Sequence, residues 1–183
     1  QNNISLKDKW QSGQAHAIAT RYFEASRPLS GVDLIVWPEG ALPAYLDQIS
    51  AGFLDALRQH PSDFLIGLLE RSDRVAGSDY YNVALGIGEQ RSLYRKHQLV
   101  PFGEYLPLAP LLGWLLDYLD IPMSDFSAGP DQQAPLVLAG QQIGVSICYE
   151  DAFAARINTA LPDATILANL SEDAWFGDSL APH

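Results

Sequence analysis

The chain has 183 residues, 48% of them apolar, enough for one domain with a sizeable interior and too apolar for a disordered chain. Its 22 acidic against 11 basic residues give a formal charge of −11, which repels phosphate backbones and argues against nucleic acid or a polybasic grip on anionic lipid. The single cysteine excludes an internal disulfide and, with no His cluster beside it, argues against a thiolate metal site; nothing in the sequence asks for a cofactor.

In chain order, apolar residues at three- and four-residue spacing predict a helix over Gln14 to Ser26, followed by a strand over Asp33 to Trp37. A second helix is expected from Leu46 to Gln59, then strands over Phe64 to Leu69, Asn82 to Ile87 and Arg91 to Tyr94. The stretch Leu106 to Leu119 (LPLAPLLGWLLDYL) is greasy but broken by Pro107, Pro110 and Gly113. It reads either as a core or lid segment or as one that meets lipid, and it is too short and interrupted to span a bilayer. A strand over Ile143 to Ile147, a helix over Asp151 to Thr159 and a strand over Thr165 to Ala168 complete the pattern. Short apolar runs alternating with amphipathic stretches predict an α/β domain. No run reaches the roughly 18 apolar residues of a membrane helix, and the N-terminus lacks the layout of a signal peptide. With no strand before Gln1 and a polar, aromatic loop just before His183, the whole chain, 1–183, is expected to be one catalytic domain truncated at both ends.

Three segments place reactive side chains where a strand gives way to a loop, the usual seat of catalytic groups in α/β folds. Pro38 cannot continue a central strand, so Glu39 in Trp37-Pro38-Glu39-Gly40 is expected at a strand exit. There its carboxylate can act as a general base, although a surface or capping Glu fits the segment equally well. Lys96, in Tyr94-Arg95-Lys96-His97, can supply a fixed cation for a developing oxyanion, with Glu104 downstream to orient or tune its neighbours. A lysine in a basic triplet is more commonly solvated, and His97 beside two cations reads as structural or solvated. Cys148 ends an apolar strand where a helical pattern begins, so its thiol is expected on a tight turn whose helix dipole favours thiolate. A small core residue is the competing reading. His16, His60, His97 and His183 have no flanking strand-to-loop signals, so a Cys-Glu-Lys set is better supported than a Cys-His pair.

Together, the ordered set Glu39, Lys96 and Cys148 resembles the Glu-Lys-Cys triad of the nitrilase, or carbon-nitrogen hydrolase, superfamily. The wording around it is similar to the apolipoprotein N-acyltransferases. The matching blocks are N-I-x-x-x-x-K-W at Asn3 to Trp10, W-P-E-x-A-L-P at Trp37 to Pro43 and Y-x-K-x-x-L-V-P-F-G-E-Y at Tyr94 to Tyr105. I-C-Y-E at Ile147 to Glu150 and D-A-W-F-G-D-S at Asp173 to Ser179 complete them, so the blocks cover nearly the whole chain in order. Glu172 departs from the pattern, standing where such sequences often have Asn.

The resemblance implies a nitrilase-like αββα sandwich, in which outer helices cover two central sheets, and a ping-pong acyl transfer without metal or cofactor. A phospholipid would donate an acyl chain to Cys148 as a thioester, and the N-terminal diacylglyceryl-cysteine of an apolipoprotein would accept it. Glu39 would be the base, and Lys96 with backbone N–H near Tyr149 the oxyanion donors. Trp10, Glu104, Tyr149 and Glu150 fall at supporting or substrate-binding positions. The resemblance further implies membrane helices outside this chain, which would hold the protein in the bacterial inner membrane with this domain facing the periplasm. Two alternatives stand beside it: a soluble nitrilase-type amidase hydrolysing a small amide or nitrile with the same three residues, and a non-catalytic interaction domain of the same fold.

Overall fold

Helix α1 occupies Gln14–Ser26, as the apolar spacing predicts, and buries Ile18, Tyr22 and Ser26. In the computed structural model, which describes residues 4, 9–11, 13–74, 77–105, 107, 126–172 and 174, it is followed by the short strand β1, Leu34–Val36. The greasy stretch Leu106 to Leu119 lies outside the described residues apart from Pro107, and the block Asp173 to Ser179 apart from Ala174.

The helix expected over Leu46 to Gln59 is two pieces, a 3₁₀ turn at Leu46–Gln48 and helix α2 at Ala51–Arg58. Ser50 makes the break: its backbone is extended and its side chain accepts the Phe53 N–H, so it starts a new helix in place of continuing the old one. Strands β2 (Asp63–Arg74) and β3 (Gly77–Ile87) run well beyond the apolar cores that announced them. Antiparallel pairing from Phe64↔Ile87 out to Arg74↔Gly77 carries the ladder into polar sequence. β4 (Arg91–Arg95) pairs antiparallel with β3, and β1 pairs parallel with β2, giving a sheet in the order β1-β2-β3-β4.

A second sheet contains β5 (Leu136–Leu138), β6 (Gln141–Ile147) and β7 (Ile166–Leu170), with β6 central, antiparallel to β5 and parallel to β7. β5 has no counterpart among the strands expected from sequence. Three residues are too few to display an alternation.

Strand alternation sorts side chains between two cores. Phe64, Ile66, Leu68, Val83, Leu85 and Ile87 face α1 and α2 and pack with Trp37, Leu54 and Leu57. Leu65, Ala84 and Tyr94 face the other way and meet Leu136, Leu138, Ile143, Ile147 and Leu170 between the sheets. On the far side, Ala160 and Ala164, just beyond helix α3 (Ala154–Asn158), press on Gly144 of β6 so closely that an added Cβ would stand 2.9 and 3.0 Å from theirs. Helix, sheet, sheet, helix is the αββα layering that the resemblance implies. Among the described residues, no helix is long and apolar enough to cross a membrane.

Candidate active site

The inner-facing register that puts Ala84 and Tyr94 between the sheets also puts Asn82 there, two residues back along β3, and Lys96, just past the end of β4, whose N–H donates to Asn82 O at 2.8 Å. Glu39 reaches the same place from the end of β1. Trp37 N–H donates to Leu65 O at 2.8 Å and Leu42 N–H to Gly67 O at 3.2 Å, so the turn between them bows out over β2. Gly67 makes that course possible: a Cβ there would lie 2.2 Å from Pro38 O and 2.6 Å from Glu39 Cα. Gly40 completes the turn at φ 54°.

Lys96, 1% exposed, is ion-paired to two carboxylates, with Nζ 2.8 Å from Glu104 Oε1 and 3.6 Å from Glu39 Oε1. Asn82 bridges the same pair, its Nδ2 donating to Glu39 Oε1 at 2.8 Å and to Glu104 Oε1 at 3.2 Å. The Val100 N–H donates to Glu104 Oε2 at 2.9 Å, which fixes the Glu104 carboxylate to its own loop. The Glu39 carboxyl and the Cys148 thiol are near enough to shift each other's protonation, and among the described residues no hydrogen-bond donor reaches Glu39 Oε2. A carboxylate, an ammonium and a thiol that the sequence spreads over 110 positions therefore share one small volume.

Burial and neighbouring charge set their protonation. Burial holds the Glu39 carboxyl above the usual carboxylate range, and Glu104 adds to this, while Lys96, the Asn82 amide and Cys148 oppose it. For Lys96 burial works to remove the proton, but Glu39 and Glu104 outweigh it and hold the ammonium above the ordinary lysine value. Burial also pushes the Cys148 thiol up, with the Glu39 charge acting the same way and Lys96 and the Ser171 hydroxyl opposing. The expectation of a dipole-stabilised thiolate is thus corrected. Cys148 opens a five-residue 3₁₀ turn, Cys148–Ala152, in place of a long helix, and at the thiol loss of solvent outweighs the nearby cation.

Cys148 has φ 49°, in the left-handed region that side chains other than glycine's rarely adopt. Two neighbours hold it there. Asn169 on β7 donates to Ser146 Oγ at 2.9 Å and to Cys148 O at 3.3 Å. Glu150, fully buried, accepts the backbone N–H of Ile147 at 2.8 Å, His97 at 2.8 Å and Gln98 at 3.0 Å, and the Tyr94 hydroxyl at 2.9 Å. One carboxylate therefore ties the Cys148 turn to the loop leaving Lys96. Tyr149 and Trp10 are both exposed, Tyr149 stacking edge-on against Phe153 at 5.0 Å.

Lys96 and Glu39 are thus buried and paired, which their segments left open; Glu104 joins them by its ion pair with Lys96, whereas Glu150 bonds the backbone on either side of the site. His97 has a structural environment, its Nδ1 2.7 Å from Gly129 O. Among the described residues, no group of three His, Cys, Asp or Glu side chains is placed to hold a metal ion. Sequence reasoning missed Asn82 and Gly67. It also missed Lys9, buried and ion-paired with Glu172, although that lysine lies in the same K-W pair as Trp10.

The family model for carbon-nitrogen hydrolases matches residues 1–183. Similar curated proteins include the apolipoprotein N-acyltransferases of Nitrosomonas europaea, 46% identical over 100% of this chain, and of Methylococcus capsulatus, 41% identical over 100%. The chain spans 37% of the length of each. Among solved structures, the C. elegans NitFhit protein superposes with a TM-score of 0.63 at 16% identity, covering 86% of this chain and 40% of that one. A carbon-nitrogen hydrolase superfamily protein of Xanthomonas campestris gives 0.61 at 13% identity, covering 86% and 59%.

Proposed function

Because this chain belongs to the carbon-nitrogen hydrolase family, we propose that it is the catalytic domain of an apolipoprotein N-acyltransferase that works through Glu39, Lys96 and Cys148. The observation that carries the reading is the meeting of a buried carboxylate, a buried ammonium and a half-buried thiol at one point. The likeness to N-acyltransferases across the full chain supports the substrate class and weighs against a small-amide hydrolase.

In this mechanism Glu39 takes the Cys148 proton as sulfur attacks the ester carbonyl of a phospholipid. A thiol that burial holds protonated needs such a base at the moment of attack. Carbonyl electrons move to oxygen, where Lys96 and backbone N–H near Tyr149 offset the charge. Collapse of the tetrahedral intermediate expels the lysophospholipid alkoxide, which recovers the proton from Glu39 and leaves a thioester. The α-amine of the diacylglyceryl-cysteine then attacks that thioester. Glu39 accepts the amine proton and returns it to the departing sulfur. Exposed Trp10 and Tyr149 are assigned to substrate contact, Glu104 and Glu150 to support. On this reading the whole protein resides in the bacterial inner membrane through segments outside this chain, with the domain facing the periplasm.

The test presents the full-length protein with acyl-labelled phospholipid and a lipopeptide bearing an N-terminal diacylglyceryl-cysteine. Label is expected on the lipopeptide in amide linkage, and not with Cys148→Ala. Ammonia release from small amides without acyl transfer rejects the reading in favour of an amidase.

A further inference from the structure

Lys9 is 5% exposed, and its ammonium is ion-paired with the carboxylate of Glu172. The pair joins residues 163 positions apart. Lys9 Nζ stands 3.4 Å from where a Cβ on Gly40 would be, so the ammonium lies against the turn that carries Glu39. Glu172 follows Ser171, whose side chain favours the ionised form of the Cys148 thiol. A buried ion pair roughly breaks even against desolvation, so stability alone does not explain a lysine at this place.

Glu39 has reason to need a second cation. The ammonium of Lys96 is shared and sits closer to Glu104, at 2.8 Å, than to Glu39, at 3.6 Å. Among the described residues, the charged or titratable groups that act on Glu39 most strongly are Lys96, Glu104 and Cys148; Lys9, paired with Glu172, feels the Glu39 charge from the Gly40 side of the turn. We propose that Lys9, held by Glu172, is a positioning residue for the base: its ammonium on the Gly40 side of the turn keeps the Glu39 carboxylate ionised and oriented toward Cys148. Burial brings Lys9 down to about 8, with Glu39 pulling the other way, so the charge is present at neutral pH. The inference rests on the reading of Glu39 as the base.

The experiment follows the rate of Cys148 alkylation by iodoacetamide against pH in the full-length protein, by peptide-mapped mass spectrometry, and needs no acyl donor. The acidic limb is expected to rise by about one pH unit in Lys9→Met, to stay within about 0.3 unit in Lys9→Arg, and to fall in Glu172→Gln, which leaves the Lys9 charge to Glu39 alone. A pair that only held the fold together would move the limb in the same direction in Lys9→Met and Glu172→Gln, or not at all, and either result overturns the proposal. Should Lys9→Met lack a cooperative unfolding transition, Glu172→Gln decides: a lower limb supports the proposal, a fixed or higher one rejects it. Glu39→Gln separates the two levels. A limb that survives it rejects Glu39 as base, and the role of Lys9 with it; a limb that vanishes there but ignores Lys9 and Glu172 rejects only the role of Lys9.

Discussion

Replacing Glu150 by Gln tests whether one carboxylate holds the two halves of the site together. Its Oε1 accepts the N–H of His97 and Gln98, and its Oε2 that of Ile147. An amide has one acceptor oxygen. If its nitrogen takes the Oε2 position, the Ile147 N–H loses its partner; if it takes the Oε1 position, two N–H groups do. The first arrangement is the less costly, and one orphaned buried donor predicts a loss of about 1–3 kcal/mol. Glu150→Ala strands all three donors and the Tyr94 hydroxyl, predicting a loss beyond about 4 kcal/mol. Urea denaturation measures both. Because Ile147 precedes Cys148 and His97 follows Lys96, the Gln variant is expected to lose turnover by more than its stability loss accounts for, roughly 10²-fold from misplacement of about 1 Å. A Glu150→Gln protein within about 0.5 kcal/mol of the parent, with parental turnover, would refute this reasoning.

Gly67→Ala forces a Cβ against Pro38 O and Glu39 Cα; thermal unfolding is expected to show a loss of about 1–3 kcal/mol together with a fall in kcat, and a stable, fully active variant contradicts the close approach. Lys96→Met removes the ammonium that Glu39 and Glu104 share, predicting a turnover loss of about 10²–10³-fold with the acidic limb of the pH profile displaced upward, in steady-state kinetics. Glu39→Gln has the opposite effects on stability and chemistry. The folded-state carboxyl is raised above its ordinary 4.5, so the stability that the group contributes is present below that value and is lost as pH rises through the folded-state pKa. The Gln variant is therefore expected to be more stable than the parent at pH 7.5, to lose that advantage near pH 4, and to lack turnover at both. A denaturation midpoint that falls equally at both pH values contradicts this.

The strand-end positions of Glu39 and Cys148 are legible in the sequence because each follows an apolar run, and that of Lys96 because it follows the short strand pattern of Arg91 to Tyr94; a strand's direction is written in consecutive residues. The same locality limits what sequence can say. β5 is too short to alternate, and the outer parts of β2 and β3 are held by pairing partners that a single-strand pattern does not contain. Asn82 reads as one polar residue in an apolar strand until Glu39 and Glu104 arrive on either side of it. Gly67 is an ordinary strand glycine until the Pro38 carbonyl crosses it. The charge state of Cys148 escapes the sequence for a related reason: a helix dipole can be guessed from neighbours in sequence, whereas burial and the Glu39 charge come from parts of the chain far away.

On the proposed function, a bond forms between an acyl carbon and the Cys148 sulfur, with Glu39 taking the proton. Peptide-mapped mass spectrometry of the full-length protein, incubated with phospholipid and no acceptor, looks for that bond. One hydroxylamine-labile acyl mass is expected on the peptide containing Cys148, much reduced in Glu39→Gln. An acyl mass on any other residue, or one that forms at the parental rate without the Glu39 carboxylate, contradicts it.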